Sequence, residues 1–284
     1  MLCIALLFSE AQAFTIAWLS DTQNYHNAYK PIFDGMTQWI ADNREALDIR
    51  FVFHTGDVVG SWSSEDQWRQ ARESMDILSN ASIPFLAACG NHDIGYRMNY
   101  ANFLKYVLSL RPASMSQEYG DTGSRYELFS ANGRDYIFMG IAFSNKGPSE
   151  DEVNWINGVL RQYSSRDAII ITHSYLKKSA SYTTQGKAIF EKIVKANPNV
   201  FLVLCGHCRD ISYKNVQLDD DGDGDPDRTV YAILSNFQGS KAGGGGYMRI
   251  LDFRDDDIYI YTYSPYYDSC EYPKGKTEAT VPLP

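Results

Sequence analysis

Five apolar segments of this chain end in residues that can bind metal ions or exchange protons. The polar residues that follow them are Ser20-Asp21, His54-Thr55-Gly56-Asp57, Gly90-Asn91-His92-Asp93, Thr172-His173 and Cys205-Gly206-His207. The apolar segments have the length and composition of buried strands. Ligands of open α/β sheets bind beyond the carboxyl ends of the strands, so we expect these side chains to converge in space.

The histidines of the chain are concentrated at the same edge. There are only five of them, and four follow the apolar segments, while His26 lies in the first of the loops. A ligand set of carboxylate, amide and neutral imidazole suits borderline divalent metals such as Mn, Fe, Zn or Ni. The sequence therefore predicts a metal site at this edge.

The order and spacing of these motifs resemble those of the calcineurin-like metallophosphoesterase superfamily. The residues that carry the resemblance are Asp21, Gly56-Asp57, Gly90-Asn91-His92-Asp93, His173 and Gly206-His207. The resemblance implies an α/β (α+β sandwich) fold, in which two mixed β-sheets pack face to face and are flanked by helices. It also implies an enzyme that hydrolyses phosphate esters at a dinuclear metal centre.

The resemblance assigns roles to individual residues. Asp57 would bridge the two ions, and the ligands of the second ion would be Asp57, Asn91, His173 and His207. A metal-bound hydroxide would attack phosphorus, and His92 would be the general acid, with Asp93 orienting its ring.

The first metal site departs from the family pattern at two positions. Its first motif, Asp21-Thr22-Gln23, has an amide in place of a histidine, and Arg209 stands in place of the last histidine. Gln23 can still offer its carbonyl oxygen. Arg209 has no acceptor atom and cannot bind a metal, but it can bind a phosphate oxygen. Either this site is weak beside one tight site, or it prefers an oxygen-loving ion such as Mg or Mn.

Other residues offer alternative ligands for the altered site, and the substrate class also has alternatives. His26, His54 or Cys208 could supply the missing ligand. An arginine near the phosphate favours the dianionic phosphomonoester as substrate. A phosphodiesterase or nuclease on the same scaffold, or a catalytically weak metal- or phosphate-binding protein, is the alternative.

The order of elements predicts a single domain at 14–265. Strands and helices alternate up to about Asn99, which is typical of a mostly parallel sheet with helices on its faces. Apolar stripes of helical period lie at 32–40, 68–78, 153–163 and 189–193, and a hairpin is expected at 125–143. Four further strands are predicted at 211–218, 228–235, 246–253 and 257–264. Residues 266–284 are expected to form a C-terminal tail.

The net charge and the hydropathy of the chain limit which binding partners are expected. The net charge of −9 argues against nucleic-acid binding, so a small phosphorylated substrate is expected. No segment approaches the roughly 18–20 apolar residues that span a bilayer.

Residues 1–13 are a possible signal peptide remnant, because Leu2 to Phe8 are apolar and Ala11-Gln12-Ala13 resembles a cleavage site. The first basic residue is Lys30, which argues against it, and an extension of the fold is the alternative. A periplasmic or secreted protein is favoured over a cytoplasmic one.

An acidic loop gives a second, independent metal signal. Aspartates stand at positions 1, 3, 5, 7 and 9 of a calcium-type loop, namely Asp219, Asp221, Asp223, Asp225 and Asp227. Gly224 is at position 6, as in the first half of an EF-hand loop, but Val230 replaces the closing glutamate. Structural calcium is favoured over a solvated acidic hairpin loop.

Overall fold

Thirteen strands form two mixed sheets in the part of the chain that the computed structural model describes, residues 13–110, 116–272 and 278–284. The strands are β1 (Phe14–Leu19), β2 (Ile49–His54), β3 (Phe85–Ala87), β4 (Ser116–Glu118), β5 (Arg125–Ala131), β6 (Arg134–Ile141), β7 (Asp167–Thr172), β8 (Val200–Cys205), β9 (Asp210–Leu218), β10 (Arg228–Asn236), β11 (Met248–Phe253), β12 (Asp257–Tyr263) and β13 (Glu278–Pro282). The first sheet has the order β13-β12-β11-β1-β2-β3, and the second has the order β4-β5-β6-β7-β8-β10-β9.

Helices connect the strands, and four of the five described helices lie at or next to the predicted apolar stripes, whereas the helix at Ala101–Tyr106 was not predicted. They are α1 (Lys30–Asp42), α2 (Glu65–Asn80), α3 (Ala101–Tyr106), α4 (Glu150–Gln162) and α5 (Thr184–Ile189), which continues as a π-helical turn over Phe190–Val194. Short 3-10 turns cover Thr22–Asn24, Asn27–Tyr29, Leu108–Leu110 and Lys241–Gly243. The side-chain oxygens of Ser64, Ser149 and Thr183 accept backbone N–H groups at the starts of α2, α4 and α5, so local sequence fixes where these helices begin.

Chain direction places the candidate loops together. Strands β1, β2 and β3 are mutually parallel, and so are β6, β7, β8 and β10. The loops that follow β1, β2, β3, β7 and β8 therefore leave the two sheets at their carboxyl ends. The predicted architecture of two mixed sheets flanked by helices is confirmed.

Side-chain alternation divides the interior into three layers. Between the sheets lies an aromatic-rich layer that includes Trp18, Phe53 and Phe138. The opposite face of the first sheet, with Ala17 and Val52, packs on α1, α2 and α3. The outer face of the second sheet packs on α4 and α5. Because both faces of the central strands are buried, these strands are continuously apolar in sequence.

The predictions for the two ends of the chain have different outcomes. Of the candidate signal segment 1–13, residues 1–12 lie outside the described residues, so export stays a prediction. The predicted C-terminal tail contains β13, which pairs with β12 as an edge strand and buries Val281 between the sheets at 2% exposure. This part of the tail prediction is therefore corrected. Within the described residues, no helix is long and apolar enough to cross a membrane.

The layer between the sheets gives a stability prediction. Phe138 is fully buried, and its ring centroid lies 4.8 Å from that of Phe53 and 5.0 Å from that of Phe51. We expect Phe138→Ala to lower the free energy of unfolding by about 3–5 kcal/mol, because it leaves a cavity between the sheets. Leu128→Ala on neighbouring β5, where the side chain is 41% exposed, is the matched control and should cost less than about 0.5 kcal/mol. Urea denaturation of both variants measures the difference, and equal losses would contradict the layer assignment.

Candidate metal and phosphate site

Three residues of the site have left-handed backbone conformations just beyond their strands. The φ angles of Asp21, Asp57 and His207 are 51°, 53° and 70°. Such angles are uncommon outside glycine and cost of the order of 1–3 kcal/mol each, although Asp and His tolerate them better than most residues. The surrounding structure therefore stabilises three unfavourable backbone conformations in the loops that carry the candidate site.

Asp57, His173 and His207 come together in a buried cluster. Their ligand atoms all lie within 4.8 Å of one another. The distance from His173 Nε2 to Asp57 Oδ2 is 3.3 Å, and that to His207 Nδ1 is 3.1 Å. The amide oxygen of Asn91 lies 3.0 Å from the same His173 nitrogen. The four residues assigned to the second metal are therefore neighbours in space.

The orientation of His173 suits a metal ligand. Its Nδ1 donates to the backbone carbonyl of Thr55 at 2.9 Å, which directs Nε2 toward the cluster. Burial lowers the pKa of His173, but the charge and hydrogen bond of Asp57, the charge of Asp21 and the hydrogen bond to Thr55 together outweigh burial and raise this pKa to about 9. Burial and the charge on His173 lower the pKa of His207 to about 4. A cation bound among these atoms would take the place of the His173 proton.

His92 is attached to the cluster through its backbone and held by its ring. Its N–H donates to Asp57 Oδ1 at 2.9 Å, and its Nδ1 donates to the carbonyl of Gly60 at 2.9 Å. This leaves Nε2 for proton transfer. Two further bonds fix Gly60, because its N–H and that of Ser61 both donate to Gln67 Oε1 at 2.9 Å.

Asp93 has a different partner set from the one the family resemblance implies. Its Oδ1 accepts the backbone N–H groups of Val58 and Val59 at 2.8 and 3.1 Å, and its Oδ2 accepts that of Gly90 at 2.8 Å. The ring of His92 is therefore oriented by the Gly60 carbonyl and not by Asp93. Asp93 ties together the loops after β2 and β3, which is a positioning role.

The altered first site keeps two candidate ligands. Asp21 is 1% exposed, and both its oxygens lie close to the backbone N–H of His207, at 3.1 and 3.2 Å. Gln23 is 7% exposed, and its side-chain oxygen is buried without a hydrogen-bond partner among the described residues. A buried, unpaired carbonyl oxygen is costly unless a donor or cation satisfies it, so Gln23 fits the role of a metal ligand.

Among the described residues, the group whose ligand atoms lie within 4.8 Å of one another is Asp57, His173 and His207, and it does not include His26, His54 or Cys208. Both ring nitrogens of His54 are occupied, since Nδ1 accepts the Gly56 N–H at 3.1 Å and Nε2 lies 3.0 Å from the Thr22 hydroxyl. Burial lowers the pKa of His54 to about 3, so its ring is neutral and structural. His26 Nδ1 accepts from the Asn27 side chain at 3.1 Å in the first loop. Cys208 is half-buried and Arg209 is exposed.

Two glycines allow the motifs to pack against one another. A Cβ on Gly90 would lie 2.2 Å from Asp57 N and 2.3 Å from Asp57 Oδ1, and one on Gly206 would lie 2.2 Å from Asp21 Oδ2. Any side chain at these positions would displace a candidate ligand. The glycines of both motifs are thus part of the site although they bring no functional group.

Sequence reasoning missed the backbone groups that hold the ligands in place. The carbonyls of Thr55 and Gly60 cannot be recognised from the sequence, because every residue has a backbone carbonyl. Asn236 at the end of β10 donates from Nδ2 to the carbonyl of His207 at 3.0 Å. Asn236 is a polar residue that ends an apolar strand, as at the other motifs, and this pattern makes it a candidate for the rim of the site.

The acidic loop joins β9 to β10 at the other end of the second sheet. Among its exposed aspartates, Asp219, Asp221 and Asp227 have oxygens within 4.8 Å of one another, while Asp223 and Asp225 are not in this group. Asp219 and Asp227 also accept backbone N–H groups of the loop. Exposed acidic groups commonly cluster without an ion, so calcium binding stays a prediction.

Comparison with known proteins identifies the family. Residues 14–208 match the family described as calcineurin-like phosphoesterase, which is more than half of the chain. The chain belongs to the calcineurin-like phosphoesterase family. The uncharacterized protein YvnB of Bacillus subtilis (strain 168) is 41% identical over 259 residues, which make up 89% of this chain and 20% of that protein. The chain thus spans about a fifth of the length of this curated relative.

Several solved structures have a similar fold. A dimetal phosphatase from Danio rerio is 12% identical, with a TM-score of 0.64 over 95% of this chain and 99% of that one. A purple acid phosphatase from yellow lupin (Lupinus luteus) seeds is 12% identical, with a TM-score of 0.61 over 96% and 54%. GAP50, the anchor in the inner membrane complex of Plasmodium, is 14% identical, with a TM-score of 0.61 over 96% and 90%. Such low identities show the fold alone, so activity has to be argued from the site.

Gly90 gives a test of the site that does not change any ligand. We expect Gly90→Ala to weaken binding of Zn or Mn at least tenfold, of the order of 1.4 kcal/mol, because the new methyl group would displace Asp57. Gly158→Ala on α4 is the matched control, since a Cβ there meets nothing within 4 Å. Isothermal titration calorimetry of the two variants measures the difference. Wild-type affinity in Gly90→Ala would contradict the assignment of Asp57.

The raised pKa of His173 predicts the pH dependence of metal binding. In the metal-free protein His173 keeps its proton below pH values of about 9, and a metal ligand must be neutral. Metal binding should therefore release at least one proton, and the apparent affinity should rise about tenfold per pH unit from pH 6 to pH 8. Calorimetry in two buffers of different ionisation enthalpy counts the protons. An affinity independent of pH would show that His173 does not bind the metal.

Proposed function

We propose that this protein hydrolyses phosphate esters with the help of divalent metal ions, and that phosphomonoesters are its preferred substrates. The observation that supports the proposal is the cluster of Asp57, Asn91, His173 and His207 directly beside His92. Family membership supports the same reaction class. Divalent ions bound at this cluster supply Lewis acidity toward phosphoryl oxygens and lower the pKa of water.

The protein side of the reaction follows from the hydrogen bonds of His92. With Nδ1–H donating to Gly60, the ring can carry a second proton on Nε2 and pass it to the leaving oxygen. The backbone N–H of His92 donates to Asp57, which fixes the distance between this acid and the metal ligands. Gln67 holds Gly60 in turn, so the acid is pre-oriented by residues outside the cluster.

Arg209 is proposed to bind a phosphate oxygen of the substrate. It lies two residues beyond His207, its side chain is exposed, and its aliphatic part lies near Gly239, where a Cβ would be 3.4 Å from Arg209 Cδ. A guanidinium stabilises two negative charges on a monoester better than the single charge of a diester, which supports the preference for monoesters. The first metal site is proposed to be formed by Asp21 and Gln23, with a preference for Mg or Mn.

A matrix of metals and substrates tests the function. Metal-free protein is incubated with Zn, Mn, Mg, Fe or Ni and with nitrophenyl phosphate, a monoester, or bis-nitrophenyl phosphate, a diester. We expect metal-dependent hydrolysis with a higher kcat/KM for the monoester. A higher value for the diester would favour the phosphodiesterase alternative. No hydrolysis of either ester with any ion would leave a metal- or phosphate-binding protein.

His92 gives the sharpest test of the mechanism. We expect His92→Ala to lower kcat by about 10²–10⁴, because the leaving oxygen loses its proton donor. Metal content should stay at the wild-type level, since the lost side chain is not a ligand and the backbone bond to Asp57 remains. Gln38→Ala on the exposed part of α1 is the control and should change neither quantity. Unchanged activity in His92→Ala would remove the general acid from the mechanism.

A further inference from the structure

Exposed aromatic side chains are concentrated at the edge of the fold that carries the candidate site. Within the described residues, six large hydrophobic side chains are at least 40% exposed, and five of them are aromatic: Tyr29, Trp62, Tyr96, Tyr266 and Tyr267. Tyr29 lies after β1, Trp62 after β2 and Tyr96 after β3. The two remaining tyrosines follow β12, which runs parallel to β1 because β11 is antiparallel to both. All five therefore lie beyond the same ends of the strands of the first sheet.

Trp62 is the member of this group that is both exposed and firmly held. Its backbone carbonyl accepts hydrogen bonds from Trp68 Nε1 at 2.7 Å and from Asn102 Nδ2 at 2.8 Å. The six-membered ring of its indole lies over Gly95, where a Cβ would be only 2.8 Å from Trp62 Cε3. The indole is nevertheless 40% exposed. It is thus supported by glycine backbone and open to solvent elsewhere.

The two loops that hold Trp62 are the same two loops that hold His92. Trp62 follows Gly60, whose carbonyl accepts from His92 Nδ1, by two residues. Gly95, under the indole, follows His92 by three residues. Next to it, Tyr96 is 78% exposed, and the Arg97 guanidinium lies 5.4 Å from its ring centroid. In the proposed mechanism His92 gives its proton to the leaving oxygen, so the alcohol part of the substrate would leave on the side of these rings.

We propose that Trp62 is a stacking platform for a flat ring in the alcohol part of the substrate, such as the base of a nucleoside monophosphate. The inference rests on the proposed phosphoesterase function and adds a substrate class to it. An aromatic face stacks on any base without reading its hydrogen-bonding edge. A single nucleotide is the occupant that fits, because the net charge of −9 disfavours long polyanions.

Adenosine 5′-monophosphate and ribose 5-phosphate test this platform. Both esters release the same kind of primary alcohol, so a difference in kcat/KM reports the base and not the leaving group. We expect the wild-type protein to favour the nucleotide. Trp62→Ala should lower kcat/KM for the nucleotide about tenfold, in line with the loss of one stacked base, and leave the ribose ester within about twofold. Trp62→Phe should keep most of the preference.

Two further variants separate stacking from general damage. Gly95→Ala should reduce the preference for the nucleotide without removing the indole, because the methyl group displaces the ring. Tyr266→Ala is the matched control: its ring is exposed at the same edge, with its centroid 4.8 Å from that of Tyr267, and both esters should react as in the wild type. Equal losses for both esters in Trp62→Ala, or a wild-type protein without preference, would overturn the platform and leave the phosphoesterase function standing.

A binding measurement keeps the platform testable without catalysis. Saturation-transfer NMR of adenosine, which has no phosphate, is recorded on the metal-free protein and on its Trp62→Ala variant. We expect a signal from the base protons that the variant loses. If neither ester is hydrolysed with any ion, the proposed function fails, and this measurement alone decides the platform. No adenosine signal in the wild-type protein overturns it.

Discussion

The candidate site depends on the burial of three carboxylates at one edge of the first sheet. Asp21, Asp57 and Asp93 are 1%, 2% and 1% exposed. Burial, together with the charge of Asp57, raises the pKa of Asp21 and Asp93 to about 7. The backbone satisfies Asp93 with three N–H groups, but among the described residues Asp57 has only the His92 N–H and His173 as partners. A divalent cation would offset the remaining negative charge of Asp57, so the burial that the fold imposes on this residue favours metal binding.

The convergence of the motifs was predictable because it needs only strand order and chain direction. Apolar runs such as Phe14–Leu19 read as buried strands, and parallel strands end at the same edge. The alternation of side chains along a strand also predicts on which face of the sheet a residue lies. His54 alternates with Phe53 and shares the helix-facing side with Val52, so it is directed away from the cluster. The edge strand β13 has no such signal, because Val281 is its only buried residue.

Hydrogen-bond partners could not be predicted, because backbone groups supply most of them. The family pattern places Asp93 next to His92 in sequence, which implies a contact between the two side chains. In the structure the tight turn brings Asp93 under the N–H groups of Val58 and Val59 instead. The carbonyl of Gly60 takes the place of the carboxylate as partner of the His92 ring. A neutral carbonyl fixes the tautomer of the ring without adding a negative charge to an edge that already buries three carboxylates.

The candidate centre has two halves, the first metal site with Asp21 and Gln23 and the second with Asp57, Asn91, His173 and His207. They differ in how firmly their ligand atoms are oriented before an ion binds. In the second half, the Thr55 carbonyl fixes the ring of His173 and Asn236 fixes the backbone of His207, so ligand atoms are oriented before an ion arrives. In the first half, the amide oxygen of Gln23 is a neutral, hard donor with no partner among the described residues. Neutral oxygen donors bind borderline ions such as Zn less tightly than imidazole does. We therefore expect the second half to fill first, and the first half to respond to the concentration of Mg or Mn.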